Sequence, residues 1–184
     1  MGGYMFMKRG ADKISTTNLK KFQDIQIKDI DGNVKKVGDY IINKKLVIIV
    51  NVASDCGFTN TNYRQLMDLY SKYSDRGLQI MGFPCNQFML QEQKCELDIK
   101  KFAKEKFNVE FPLFSKIEVN GENQHEIYVY LKTNCKDFKM DGNTLKEIPW
   151  NFAKFLVTDD GKVLNYFGPD KEPKEIERDL DRMI

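Results

Sequence analysis

The sequence predicts an α/β fold, with a central mixed β-sheet flanked by helices and a β-hairpin at its N-terminal side. Three observations carry this. Leu46-Val47-Ile48-Ile49-Val50-Asn51-Val52 is an almost continuous β-branched run, as in a strand buried on both faces of a sheet. A second run, Leu78 to Phe83, follows a helical stretch long enough for a right-handed parallel crossover. Two later runs, Ala153 to Thr158 and Val163 to Phe167, flank the tight turn Asp159-Asp160-Gly161-Lys162 and read as an antiparallel pair.

The elements follow in order. Asp24 to Lys28 alternates polar and apolar residues, and Asp31-Gly32 with Val34 beyond completes a hairpin signal. Val37 to Ile42 adds a short helical turn before the first long strand. From Asn60 onward, Tyr63, Leu66, Met67, Tyr70 and Tyr73 recur at helical spacing, and Gly77 closes that helix. Pro84 ends the second long strand. A loop from Cys85 to Cys95 leads into a helix over Glu96 to Lys106, with Leu97, Ile99, Phe102 and Ala103 as its apolar set. Phe111 to Phe114 is an apolar connector, and Ile117 and Val119 before Asn120-Gly121 suggest a short edge strand. His125 to Leu131 and Pro173 to Met183 complete the helices. The order βαβ, helix, β-hairpin, helix is that of a thioredoxin-like domain.

At 184 residues the chain is long enough for one domain with a sizeable core. Residues 18–184 form that domain. Residues 1–17 lack a clear period and read as a disordered leader or a targeting remnant. A net charge of +2, with both signs interspersed, gives no reason to expect nucleic acid or a membrane surface as partner. No apolar run is long enough for stable membrane insertion. The four cysteines include no C-x-x-C pair, and with a single histidine no metal site and no cofactor are expected. So few cysteines in so long a chain point to a reducing compartment. The cytoplasm is expected, or an organelle if the leader is a targeting remnant.

Between the first long strand and its helix lies Ala53-Ser54-Asp55-Cys56-Gly57-Phe58-Thr59. Its only strongly nucleophilic group is the Cys56 thiol. A strand–loop–helix junction puts this thiol outside the carboxyl end of a central strand and close to unpaired N–H groups at a helix start, which favour a thiolate. Gly57 leaves room for a substrate. The plainer reading is a buried structural cysteine; the flanking Ser54, Asp55, Gly57 and Thr59 do not look like core. Thr59 stands where a dithiol oxidoreductase would carry its second cysteine, so the motif cannot close a disulfide within itself. A lone thiolate is suited to attacking a peroxide oxygen and becoming a sulfenic acid.

Three ordered segments resemble the glutathione peroxidase family in its cysteine-containing form. They are Asn51-Val52-Ala53-Ser54-Asp55-Cys56-Gly57-Phe58-Thr59, then Gly82-Phe83-Pro84-Cys85-Asn86-Gln87-Phe88 with Gln91-Glu92, then Trp150-Asn151-Phe152-Ala153-Lys154-Phe155-Leu156-Val157. The resemblance implies that Cys56 is the peroxidatic residue and that Gln91, Trp150 and Asn151 complete a catalytic tetrad. The chemistry is consistent: two amides and an indole are neutral donors that can stabilise charge on sulfur or on a leaving oxygen. Taken alone, Trp150 would read as a core aromatic and Gln91 as an ordinary loop residue. It further implies hydrogen peroxide and organic or lipid hydroperoxides as substrates, thioredoxin or glutathione as reductant, and a monomer, since only Lys136 to Pro149 occupies the interval where tetrameric members carry an assembly loop.

The sequence departs from the family at two points. The usual Phe-Gly-x-Gln-Glu-Pro-Gly is here Phe88-Met89-Leu90-Gln91-Glu92-Gln93-Lys94. Lys104 stands where thioredoxin-using members keep a resolving cysteine, which leaves Cys95 as the nearest substitute, with Cys135 or glutathione as alternatives. Cys85 is expected to be packed at a strand end. Two other functions compete. A non-catalytic thioredoxin-like binding module or redox sensor would keep the motifs without turnover. A peroxiredoxin would place Pro and Thr upstream of its cysteine, whereas Val52-Ala53-Ser54-Asp55 precedes Cys56.

Overall fold

A computed structural model describes residues 21–138 and 145–184. The proposed leader therefore lies outside the described residues, as does part of the interval before Trp150. The hairpin pairs β1 (Gln26–Lys28) with β2 (Val34–Lys36), and a 3-10 turn over Val37–Tyr40 follows. The main sheet has four strands in the order β4-β3-β5-β6: β3 is Leu46–Val52, β4 Leu78–Pro84, β5 Lys154–Thr158 and β6 Val163–Phe167. β3 runs parallel to β4 and antiparallel to β5, so the sheet is mixed with β3 in its interior. Helix α1 (Thr59–Tyr73) makes the crossover, and α2 (Glu96–Phe107), α3 (Glu126–Asn134) and α4 (Glu177–Met183) complete a thioredoxin-like arrangement.

Every residue of β3 and β4 is buried, which is why neither strand shows a polar face in the sequence. Alternate side chains serve two cores. Val47, Ile49, Met81, Phe83, Phe155 and Val157 pack with Ile127, Tyr128 and Leu131 of α3. Leu46, Ile48, Val50, Leu78, Ile80 and Leu156 pack with Tyr63, Leu66, Leu69 and Tyr73 of α1 and with Ile176 and Leu180. Each such Val, Ile or Leu contributes roughly 2 kcal/mol by leaving water. Anchored on both faces, β3 is a rigid base for whatever its carboxyl end carries.

Several expectations shift. Helix α1 starts at Thr59, one residue early, and Leu69 rather than Met67 completes its buried stripe. A 3-10 turn, Ser74–Arg76, separates α1 from Gly77, whose φ of +113° only glycine adopts freely. Leu97 is not core: it is 71% exposed, because α2 turns Ile99, Ala103 and Phe107 inward instead. The edge strand at Ile117 and Val119 does not form. Leu113 and Phe114 make single bridges to Gly82 and Asp29, while the N–H groups of Val119 and Asn120 donate to the Gln87 side chain rather than to a neighbouring strand. The last helix begins as a 3-10 turn at Pro173.

Candidate active site

Cys56 lies just past the end of β3, three residues before α1. The loop that carries it is closed by Thr59, whose hydroxyl donates to Ala53 O at 2.7 Å and accepts from Cys56 N at 3.2 Å. The residue in the place of a second cysteine thus shapes the turn. Phe58 N–H points at Cys56 Sγ from 3.5 Å, a backbone donor at the sulfur. Cys56 is buried, at 9% exposure, while at its neighbour Gly57 an added side-chain carbon would meet no atom within 4 Å. Ser54 and Thr59, which look polar in sequence, are buried; both satisfy their hydroxyls internally.

Gln91 and Asn151, 60 residues apart in sequence, meet directly: Asn151 Nδ2 donates to Gln91 Oε1 at 3.0 Å. Asp55 N–H donates to Gln91 O at 3.1 Å, which fastens the Gln91 loop to the residue preceding Cys56. Trp150 is half-buried, packs against the same core as Cys56, and lies 5.8 Å from the Phe88 ring. Its carbonyl accepts from Asn51 Nδ2 at 3.1 Å. Among the described residues, neither the Trp150 indole N–H nor the Gln91 amide NH2 has an acceptor, so both donors are available to a bound molecule. The structure therefore gathers Cys56, Gln91, Trp150 and Asn151 around the end of β3.

The departures from the family pattern leave a visible mark. Met89 and Leu90 adopt φ of +50° and +53°, the left-handed region that a glycine would occupy at no steric cost. Gln91 N donating to Phe88 O, and Glu92 N donating to Asn86 Oδ1 at 2.9 Å, hold the loop in shape nonetheless. Phe152, fully buried, also has positive φ, +64°, and turns the chain from Asn151 into β5.

Two residues quoted in the motifs but given no role in the sequence prove central. Asn51 is a buried amide on β3 that grips both sides of the Trp150-Asn151 turn: Nδ2 reaches Trp150 O, and Oδ1 accepts from Ala153 N at 3.0 Å. An asparagine interrupting a Val/Ile run was the available signal. Glu92 is fully buried beneath the loop; Ser54 Oγ donates to one carboxylate oxygen at 3.1 Å and the other has no hydrogen-bond partner among the described residues. Burial pushes its carboxyl up to about 6, against the opposing pull of Ser54, Lys94 and Lys116.

The other thiols differ. Cys85 is wholly buried at the end of β4, where desolvation raises it to about 11 and its thiol faces Gln87 Oε1 at 3.7 Å. Cys135 is buried and raised for the same reason. Cys95 is exposed at the start of α2, its thiol 3.3 Å from Asp98 Oδ2. The Lys94 ammonium, next to Cys95 in sequence, pairs with Asp55 at 2.8 Å, linking the segments of the two thiols.

Residues 22–132 match the family model described as glutathione peroxidase. The chain is 45% identical over 162 residues to glutathione peroxidase 1 of Caenorhabditis elegans, covering 88% of this chain and 95% of that protein. It is 44% identical over 170 residues to a probable phospholipid hydroperoxide glutathione peroxidase of Mesembryanthemum crystallinum, covering 92% and 96%. Among solved structures, Trgpx in its apo form superposes with a TM-score of 0.67 at 32% identity, over 90% of this chain and 96% of that one. Together with the thiol at the end of β3, these matches show that the chain belongs to the glutathione peroxidase family and is a thiol peroxidase that reduces hydroperoxides.

Proposed function

We propose that Cys56 is the peroxidatic residue, that Gln91, Trp150 and Asn151 assist it, and that Cys95 resolves the intermediate for recycling by thioredoxin. The observation that carries the reading is the Gln91–Asn151 hydrogen bond, which brings two remote loops together while Asp55 N ties Gln91 to the Cys56 turn. The Cys56 thiolate attacks the terminal peroxide oxygen. An S–O bond forms, the O–O bond breaks, and the leaving alkoxide or hydroxide takes up a proton, giving alcohol or water and a Cys56 sulfenic acid. Unpaired donors on Trp150 and Gln91 stabilise the charge that develops on the leaving oxygen. The Cys95 thiolate then attacks the sulfenic sulfur; an S–S bond forms, the S–O bond breaks, and the departing hydroxide takes up a proton and leaves as water. A dithiol reductant opens the disulfide by exchange.

Exposure supports Cys95 over Cys85 and Cys135, which are buried with raised thiols. Phe58, Met89 and Leu90, exposed beside Cys56 and Gln91, form an apolar rim suited to the acyl chain of a lipid hydroperoxide. Among the described residues no helix is long and apolar enough to cross a membrane. We propose a monomer in solution. Relatives include proteins named as chloroplastic and mitochondrial; for this chain we propose the cytoplasm, or an organelle if residues 1–17 are a targeting remnant.

The test is hydroperoxide consumption coupled to thioredoxin, thioredoxin reductase and NADPH, with a glutathione-coupled arm beside it. Native protein is expected to turn over in the thioredoxin arm, and Cys56→Ser to be inactive with unchanged circular dichroism. Substantial turnover by Cys56→Ser would refute the assignment of the nucleophile. Turnover in the glutathione arm alone would refute the reductant.

A further inference from the structure

We propose that Asn120, locked between Gln87 and Lys132, is a positioning residue that sets the place of Trp150 at the thiol; the inference rests on Trp150 acting as a donor there. The chain from Leu145 to Trp150 has no regular secondary structure, so something other than a sheet or helix must hold it. Asn120 does so. Its Nδ2 donates to Ile148 O at 2.8 Å, and its Oδ1 accepts from Ile148 N at 2.7 Å. One buried side chain thus satisfies both backbone groups of the residue two before the indole. Pro149 lies between them, and its ring fixes one of the backbone torsions that connect Ile148 to Trp150. Downstream, Asn51 holds Trp150 O. The indole is therefore suspended between two asparagines, one from β3 and one from the loop before α3.

Asn120 is itself immobilised. Gln87, from the loop that follows β4, accepts from Asn120 N at 3.0 Å and donates to Asn120 O at 2.9 Å. Lys132 of α3 is only 1% exposed and sends its ammonium to Asn120 Oδ1 at 2.8 Å and to Gln124 Oε1 at 2.9 Å. The Glu147 carboxylate also acts on it, yet burial prevails and draws the ammonium down to about 8. A buried lysine is costly where an apolar residue would fill the same volume. Its effect here is to fix the orientation of the amide. Reversing Asn120 would bring its NH2 against two donors, Ile148 N–H and the ammonium, so the amide has a single stable setting.

The experiment uses the full chain, in which Trp150 is the only tryptophan and its emission reports on its own surroundings. In Asn120→Leu, with both bonds to Ile148 gone, the emission is expected to shift to the red, acrylamide quenching to rise, and the rate constant for oxidation of Cys56 by peroxide to fall roughly tenfold or more. Asn120→Asp keeps an acceptor for both donors but sets a carboxylate oxygen against Ile148 O in place of the NH2, so it should recover only part of the rate. Lys132→Met, which keeps the stem and loses the charge, should slow oxidation by about threefold and add nothing in the Asn120→Leu background. A folded Asn120→Leu protein with native emission and native oxidation rate would overturn the proposal; should that variant not fold, the same result in Lys132→Met would do so. Trp150→Phe separates the two readings. If it oxidises at the native rate, the donor role of the indole fails, and the emission of Asn120→Leu still decides whether Asn120 positions it.

Discussion

Cys56 and Cys95 sit on segments joined by the Lys94–Asp55 ion pair, and their surroundings are built in opposite ways. The Cys56 turn is fastened on every side: by Thr59 to Ala53, by Phe58 N–H at the sulfur, by Asp55 N–H to the Gln91 loop, and by β3 with both faces buried. Cys95 begins α2 without any side-chain cap, and Gln93, Leu97 and Asp98 around it are exposed. The pair that joins them is itself largely in water and holds them together by no more than about 1 kcal/mol. The contrast matches the role proposed for each thiol. Attack on a peroxide gains from a preorganised site. Resolution requires a thiol that travels, and segments of low local stability are the ones that open.

The largest expected effect comes from removing the exposed thiol, proposed here as the resolving one. Cys95→Ser should be oxidised by peroxide at the native rate and lose thioredoxin-dependent turnover, with Cys56 trapped as the sulfenic acid. Peptide mapping of peroxide-treated native protein should find a Cys56–Cys95 disulfide; a disulfide from Cys56 to Cys135 or Cys85 would end the comparison.

A second variant probes the fixed side. Burial raises the Glu92 carboxyl to about 6, so the folded state holds its proton more tightly than an unfolded chain with an ordinary value of 4.5. Stability from this group is greatest below pH 4.5 and is lost as pH rises through about 6. Glu92→Gln should flatten that window and raise stability at pH 7 by roughly 1–2 kcal/mol, read from urea midpoints across pH. A pH dependence equal to that of the native protein would mean that Glu92 carries no such strain.

The smallest effect concerns the loop between the two thiols. Met89→Gly relieves a left-handed residue at an exposed position and adds the flexibility of glycine to the unfolded chain. The net gain should be at most about 1 kcal/mol. A clear loss of stability would show that the Met89 side chain, rather than the backbone hydrogen bonds, maintains the loop.

Much of this molecule is determined by local pattern. The β-branched run of β3, the period of α1, the turn at Gly161 and the order of the elements depend on burial and on spacings of two or 3.6 residues, which a sequence displays directly. The thiol also follows, because a reactive cysteine outside the carboxyl end of a buried strand needs no distant residue to be recognised. The proposed tetrad was legible only as three separated motifs whose resemblance to a family implied that they meet. What the tertiary structure decided is how they meet. Asn51 gripping the Trp150 turn, Gln87 drawing off the N–H groups of an expected edge strand, and Lys132 steadying Asn120 are contacts between residues up to about a hundred positions apart. Side-chain amides hydrogen-bond in any direction and carry no period, so their partners are set by the folded chain and not by the spacing along it.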